Sequence, residues 1–266
     1  MKTCSLYFDF ITIKIKSMAE YPVAFWTHAI AKMMGWGADI VVIYLMVRRF
    51  NGIFSWTPYE VLLLYTLNIM AYSLAGFWVY HPFERLSEHI QMGTFDEILT
   101  KPLSPFWYLC FKEFSTGYIG NIIITGIALV VCIVKLELFI NPSSVLWIGA
   151  TLFGGMLIHA SLLILFNIPA FWTTKATAFK SLKWSLVEFI NYPLSIYNKW
   201  VQTMLTLIIP VAFINFYPAQ ILLDKTDYCG FNPNIAYLSP IIGVVLFTIS
   251  YYLFSLGIKH YKSTGT

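Results

Sequence analysis

The sequence predicts an all-α polytopic membrane protein: six transmembrane helices, an N-terminal interfacial helix, and a re-entrant external hairpin between helices five and six. Three observations carry this. Of 266 residues, 58% are hydrophobic and 11% charged, whereas soluble domains average roughly 45–50% apolar and about 25% charged. Mean hydropathy is +0.70, and the apolar residues fall in runs near the ~20 that a helix needs to cross a bilayer. Aromatic residues make up 18%, and Trp and Tyr collect at membrane interfaces.

Residues 1–22 mix Leu6, Phe8, Ile11 and Ile13 with Lys2, Lys14 and Lys16. Lysines on both sides of the apolar residues do not fit a removable signal peptide. A helix lying in the interface, lysines toward headgroups, fits better. The transmembrane domain then occupies residues 23–258, with 259–266 as a cytoplasmic tail. Spans are expected at about 23–47, 61–80, 106–134, 145–171 and 235–258. Residues 184–223 are apolar but broken by Pro193, Pro210 and Pro218, and are too long for one helix at 1.5 Å per residue.

Basic residues decide between one and two spans there. With six spans and both termini cytoplasmic, the inside holds Lys2, Lys14, Lys16, Arg85, Lys101, Lys175, Lys180, Lys183, Lys259 and Lys262, and the outside holds Arg48, Arg49, Lys135, Lys199 and Lys225. A seventh span would put Lys259 and Lys262 outside and weaken the inside bias. Residues 184–197 are therefore read as part of the fifth span. Residues 200–223 become an external hairpin, with Pro210, Phe213 and Pro218 as its gate residues. The Arg48–Arg49 pair runs against the bias.

The polar stretch 81–105 is the most informative part of the chain. Phe83, Leu86 and Ile90 recur at helical spacing, with Glu84, Arg85 and Glu88 on the other side. Gly93 breaks the run; Phe95, Ile98 and Leu99 begin a second amphipathic piece that Lys101 and Pro102 close. An apolar ridge with charged flanks suits a groove on a cytosolic partner. The competing reading is a solvated loop on the lipid surface. The residues assigned to coupling are Phe83, Glu84, Arg85, Leu86, Glu88, Gly93, Phe95, Asp96, Lys101 and Pro102.

Within the spans, Lys32 and Asp39 share one helix face two turns apart. Intramembrane charge is costly and marks transport paths, although a lysine can also snorkel to the interface. With the aromatic residues Trp36, Tyr72 and Trp78, they form the candidate translocation path; Phe25, Trp26 and Phe77 extend its apolar character. His159 reads as a packing residue.

Signatures of catalysis are missing from the sequence. It has no Gly-x-x-x-x-Gly-Lys-Ser/Thr phosphate loop, no HExxH and no GxSxG. His81 and His89, near Glu84, Glu88 and Asp96, match no common metal spacing. The four cysteines, Cys4, Cys110, Cys132 and Cys229, show no CxxC, and the net charge of +4 is too small and too dispersed to suggest nucleic acid. The expectation is a transport subunit without its own catalytic, cofactor or metal site. The alternatives are an ion-coupled secondary transporter, which would need paired mid-membrane acids and inverted repeats, and an integral membrane lipid-modifying enzyme using the 81–97 loop.

The run GTFDEILTKPLSPF (93–106) resembles the G-x-F-D-x-x-L-x-K/R-P-L-S-P signature of a branch of ABC transporter permeases in the type-2 exporter superfamily. YPLSIY (192–197) and IIPVAFINFYPAQILL (208–223) resemble the same branch in the same order. The resemblance implies six helices with cytoplasmic termini in the cell membrane, a coupling helix after the second span, and re-entrant helices outside. It also implies a separate nucleotide-binding ATPase subunit carrying ATP and Mg, a second identical or related permease chain, and export of drug-like or other amphipathic compounds.

Overall fold

The computed structural model describes residues 9, 10, 12, 13, 16, 20, 22–49, 55–173, 177–225 and 231–263. Most of the interfacial helix expected over residues 1–22 lies outside these, as do Cys4 and Cys229. Every regular element among the described residues is a helix.

The first long helix, α1 (Pro22–Arg49), has 28 residues, about 42 Å at 1.5 Å per residue and more than enough for a bilayer core. The second, α2 (Pro58–Ala75), starts on a reciprocal cap. Thr57 Oγ1 accepts from Glu60 N, and Glu60 Oε2 accepts from Thr57 N at 2.7 Å, satisfying two backbone donors that a helix start leaves open. It continues through a π-helical turn, Gly76–Tyr80, into three short helices: α3 (His81–Glu84), α4 (Leu86–Gln91) and α5 (Thr94–Leu99). After α6 (Pro105–Lys112) come α7 (Tyr118–Lys135), α8 (Pro142–Asn167), α9 (Ala170–Thr173), α10 (Thr177–Glu188), α11 (Lys199–Thr203), α12 (Phe216–Leu222) and α13 (Ser239–His260).

Five segments are long and apolar enough to cross a membrane: Ala29–Arg49, Pro58–Gln91, Tyr118–Lys135, Pro142–Thr173 and Asn234–His260. A sixth exists only if the pair Lys199–Ile208 and Val211–Leu222, bent by 77°, is counted as one span. Two expectations change here. The third span begins at Tyr118 rather than near residue 106. Residues 113–117 break the helix, and Ser115 N donates to Phe77 O at 2.7 Å instead of continuing the ladder. The stretch 184–197 is the end of α10 followed by two 3-10 turns, Phe189–Asn191 and Leu194–Ile196. Pro193, which can neither donate nor sit inside a helix, separates those turns.

α2 runs through the centre, buried on nearly all sides from residue 61 to 75. α8 and α13 cross where Gly154 and Gly243 meet: a Cβ on Gly243 would stand 2.6 Å from Gly154 O. Backbones approach this closely only when both residues lack side chains. The packed interior forms two apolar clusters. One surrounds Trp56, the first half of α2 and the 211–219 segment. The other lies at the opposite end, around Phe83, Phe95, Phe106, Phe171 and Phe254.

Candidate functional site

The unit 81–101 is held on the bundle by its apolar side. Phe83, Leu86, Ile90, Phe95 and Ile98 are all buried. Phe83 meets Phe106 and Phe254 at ring-centroid distances of 5.3 Å, and Phe95 meets Phe171 at 5.3 Å and Tyr261 at 5.0 Å. This corrects the sequence expectation that the ridge is offered to a partner. Phe83, Leu86 and Phe95 seat the unit on its own spans because burying aromatic area there is worth more than exposing it to water. Gly93 stands at φ 68 between α4 and α5, a left-handed turn that glycine takes without strain.

The charged side divides in two. Glu84 faces the bundle: its Oε1 lies 3.4 Å from Lys180 Nζ and its Oε2 3.9 Å from Lys183 Nζ, while Lys180 also donates to the Glu84 carbonyl. Asp96 accepts from Ser263 Oγ at 2.6 Å. Glu84 and Asp96 are therefore tied to α10 and to the segment after α13. Arg85 and Glu88 pair with each other at 3.1 Å, and Glu97 pairs with Lys101 at 3.1 Å. Arg85, Glu88, Glu97 and Pro102 are exposed, and beside them Met92 is 68% exposed. Lys101 holds the exposed Glu97 carboxyl below its ordinary range by a hydrogen bond and its charge.

His89 is a strut. Its Nδ1 lies 3.0 Å from Thr94 Oγ1, and its Nε2 donates to Glu113 Oε1 at 3.1 Å. Burial raises the Glu113 carboxyl's pKa, but the His89 hydrogen bond and charge, with Arg85 and Lys112 nearby, outweigh burial and leave it below its ordinary range. Among the described residues, no three His, Cys, Asp or Glu side chains converge as a metal site would need.

The candidate path residues separate. Lys32, Trp36 and Tyr72 come together beside the unit. Lys32 Nζ sits 4.0 Å from the centre of the Tyr118 ring. Tyr72 lies 5.9 Å from Trp36, 5.8 Å from Trp184 and 5.7 Å from Tyr118, and its hydroxyl bonds that of Tyr118 at 3.1 Å. Asp39 is exposed on α1. Trp78 turns to the other side: its ring stacks on Trp107 at 6.1 Å and borders an apolar cavity of about 220 Å³ with Phe111, Phe114 and Ile119.

The sequence did not single out Tyr80, Tyr118, Lys183 and Trp184 for this cluster. Lys183 lies 4.3 Å from the Trp184 ring and 5.6 Å from the Tyr80 ring. A lysine next to a tryptophan at the head of an apolar run was the one signal available. Deeper in, His159 Nε2 donates to Asn68 Oδ1 at 2.9 Å, and Asn68 Nδ2 donates to Asn191 Oδ1 at 2.9 Å. His159 is thus a hydrogen-bonded interior residue, in keeping with the packing role expected for it.

At the bent pair, Pro210 marks the break. Phe213 is buried, and its carbonyl accepts from Ser239 Oγ at 2.7 Å. The carbonyl of Pro218 accepts from Trp147 Nε1 at 3.4 Å. Asn215 Nδ2 donates to the carbonyls of Ile190 and Leu64, at 2.6 and 3.0 Å. Broken backbone at membrane depth persists only with such cover.

A bundle of long apolar helices carrying a short, polar-faced helical unit between two of its spans is the architecture of a multi-pass membrane protein. Residues 33–265 match the model of the ABC-2 family transporter proteins, and the chain belongs to that family. No curated protein matches the sequence.

Proposed function

We propose that this chain is the permease subunit of an ATP-driven exporter in the cell membrane, moving an amphipathic or drug-like compound. ATP and Mg would bind a separate nucleotide-binding ATPase, and a second identical or related permease chain would complete the pathway. The observation that carries this reading is the 81–101 unit. Its apolar side is locked into the bundle while Arg85, Glu88, Met92 and Glu97 face outward, so a push on the exposed side reaches the spans without being absorbed by a loose loop. Contacts through Glu84 to α10 and through Asp96 to the segment after α13 carry that push to two further elements. Transport then proceeds by rigid-body rocking between states that bind the cargo differently.

In this reading α10 with the two 3-10 turns after it, residues 177–196, is the fifth of six crossings, so that both termini are cytoplasmic, and the 81–101 unit lies on the cytoplasmic side. The bent pair is a re-entrant hairpin over the outer end of the path. Membership of the ABC-2 family supports this topology. Co-expression with the nucleotide-binding ATPases of the same organism, followed by purification in mild detergent, tests the reading. A stable complex whose ATP hydrolysis rises with amphipathic compounds is expected. Failure to co-purify with any ATPase would end it.

A further inference from the structure

We propose that the apolar cavity between the π-helical turn Gly76–Tyr80 and the helix break at residues 113–117 is a binding site for a neutral aromatic group of one or two fused rings, the flat apolar part of an amphipathic cargo. The proposal rests on the transport reading and deepens it by naming what the cargo carries.

Two departures from regular helix make the cavity. α2 widens into the π-helical turn, and α6 stops at Lys112 before α7 starts at Tyr118. Such π-helical turns recur at functional sites. Here the two irregular stretches are tied together. Ser115 N donates to Phe77 O at 2.7 Å, and Gly76 lies so close to the Tyr118 ring that a Cβ would not fit. Both ties hold the stretches in place beside the space they enclose.

That space measures about 220 Å³ and is lined by Phe77, Trp78, Cys110, Phe111, Phe114 and Ile119, with Thr116 the one hydroxyl. A buried water needs about two to four polar partners, and an apolar cavity of about 150 Å³ stays dry and takes up benzene. A cavity of about 220 Å³ therefore has room for a ring or a fused pair. Its walls favour rings over chains. Phe77 and Phe114 stand 5.6 Å apart, Trp78 stacks on Trp107 at 6.1 Å, and Trp107 is 6.2 Å from Phe111. A guest ring can join this array at the about 4.5–7 Å between centres that aromatic pairs prefer, whereas a hydrocarbon chain gains burial alone. Among the described residues no charged side chain lines the space, so a charged group has no partner there and stays outside.

Cys110 and Phe114 are buried, while Phe77, Trp78, Phe111 and Ile119 are half-buried. The cavity thus has a closed floor and a mouth at the bundle surface. The π-helical turn leads directly into the 81–101 unit, which puts that mouth at the inner-leaflet end on the transport reading. Glu113, next to Phe114 in the chain, pairs with His89 of the unit at 3.1 Å. A ring seated against Phe114 bears on the segment that braces the unit, which links occupancy to coupling.

The full chain in phosphatidylcholine nanodiscs is titrated with 1-bromonaphthalene, a neutral fused ring whose bromine quenches tryptophan emission, and with 1-bromodecane, which carries the same atom on a chain. Saturable quenching is expected with the naphthalene, and binding about tenfold weaker or more with the decane. Trp78→Phe should shrink the saturable component while keeping a ring in the wall. Cys110→Leu and Ile119→Phe fill the cavity from α6 and from α7, and each is expected to weaken binding about tenfold. With plugs on two helices, the test stands even if one variant does not fold.

Quenching that rises linearly without saturation, equal saturable binding of the decane, an unchanged signal in Trp78→Phe, or no loss in the plugs that fold overturns the proposal. Binding is read on the chain alone, so failure to co-purify with any ATPase would remove the transport reading and leave the site. A complex whose hydrolysis rises with amphipathic compounds, without saturable naphthalene binding, would remove the site and leave transport.

Discussion

Oε1 of Glu84 lies 3.4 Å from Nζ of Lys180, joining the short helix that follows the second span to the helix that follows the fourth. The two residues are 96 positions apart, so this contact reports tertiary assembly rather than local charge pairing. With Lys183 behind it, the pair couples the polar unit to the cation–aromatic cluster.

Glu84→Gln should lower stability. It leaves Lys183 buried without a counter-charge and Lys180 with only the backbone carbonyl. Glu84 keeps some solvent contact, so about 1–3 kcal/mol is expected rather than the full cost of a buried lone charge. Thermal unfolding of the purified chain in detergent measures it. A change within about 0.5 kcal/mol would mean that the contact is incidental.

Charge reversal at Glu88 and Glu97 should act differently. Both residues are exposed and pair with neighbours three or four positions away in the sequence, and such pairs contribute about 0–1 kcal/mol. Stability should hardly move, while ATP hydrolysis stimulated by transported compound should fall in the complex. Normal stimulation with both reversed would take this face out of the coupling mechanism.

The long apolar runs made most of the bundle legible, because a membrane span must be continuous and unpaired polar backbone is not tolerated in lipid. The start of the third span was not. Residues 106–111 are as apolar as a span, and the break is marked only by Lys112 and Glu113, which also suit a membrane interface, and by Ser115, Thr116 and Gly117. The 81–101 periodicity was legible too, but not which way it faced, since an apolar ridge fits its own core as well as a partner's groove. In the cluster, Lys32, Trp36 and Tyr72 stood out as charged or aromatic residues in apolar runs. Tyr80, Tyr118 and Lys183 join them through packing between distant helices, which leaves no local pattern.

Gly243→Leu should force α8 and α13 apart. The new Cβ would meet Gly154 O at 2.6 Å, a backbone atom that cannot rotate away. Overpacking of this kind costs about 1–3 kcal/mol. Gly149→Leu on the same pair of helices, with nothing within 4 Å of its Cβ position, is the control and should be near neutral. Equal melting temperatures for the two variants would contradict the close crossing.

The His89–Glu113 strut predicts acid sensitivity. The folded chain holds the Glu113 carboxyl below its ordinary value, so the unfolded chain binds the proton more readily. The resulting stabilisation is present above the unfolded value and is lost as pH falls through the lower folded one, from about pH 5 downward. Glu113→Gln should flatten that part of the stability–pH curve, and His89→Gln should shrink it. Parallel wild-type and Glu113→Gln curves from pH 6 to 3.5 would rule the strut out as a contributor.

The bent pair should enter and leave the membrane on one side. Pro210 removes a backbone donor at the break, and a proline inside a helix costs about 3 kcal/mol. The chain turns by 77° there rather than continuing as a straight span. Thr206 Oγ1 and Tyr217 Oη, on opposite sides of the break, lie 2.9 Å apart, so the two arms are tied to each other across the bend. Past the second arm, Lys225 pairs with Glu60 at 2.6 Å, fixing that end beside the start of α2. If the first arm begins at the same end, single cysteines replacing Asn198 and Asp224, in a background lacking the natural four, should both react with an impermeant thiol reagent applied to intact cells. Reaction of one only from outside and the other only after lysis would make 199–222 a kinked span, and the outer gate would have to be sought elsewhere.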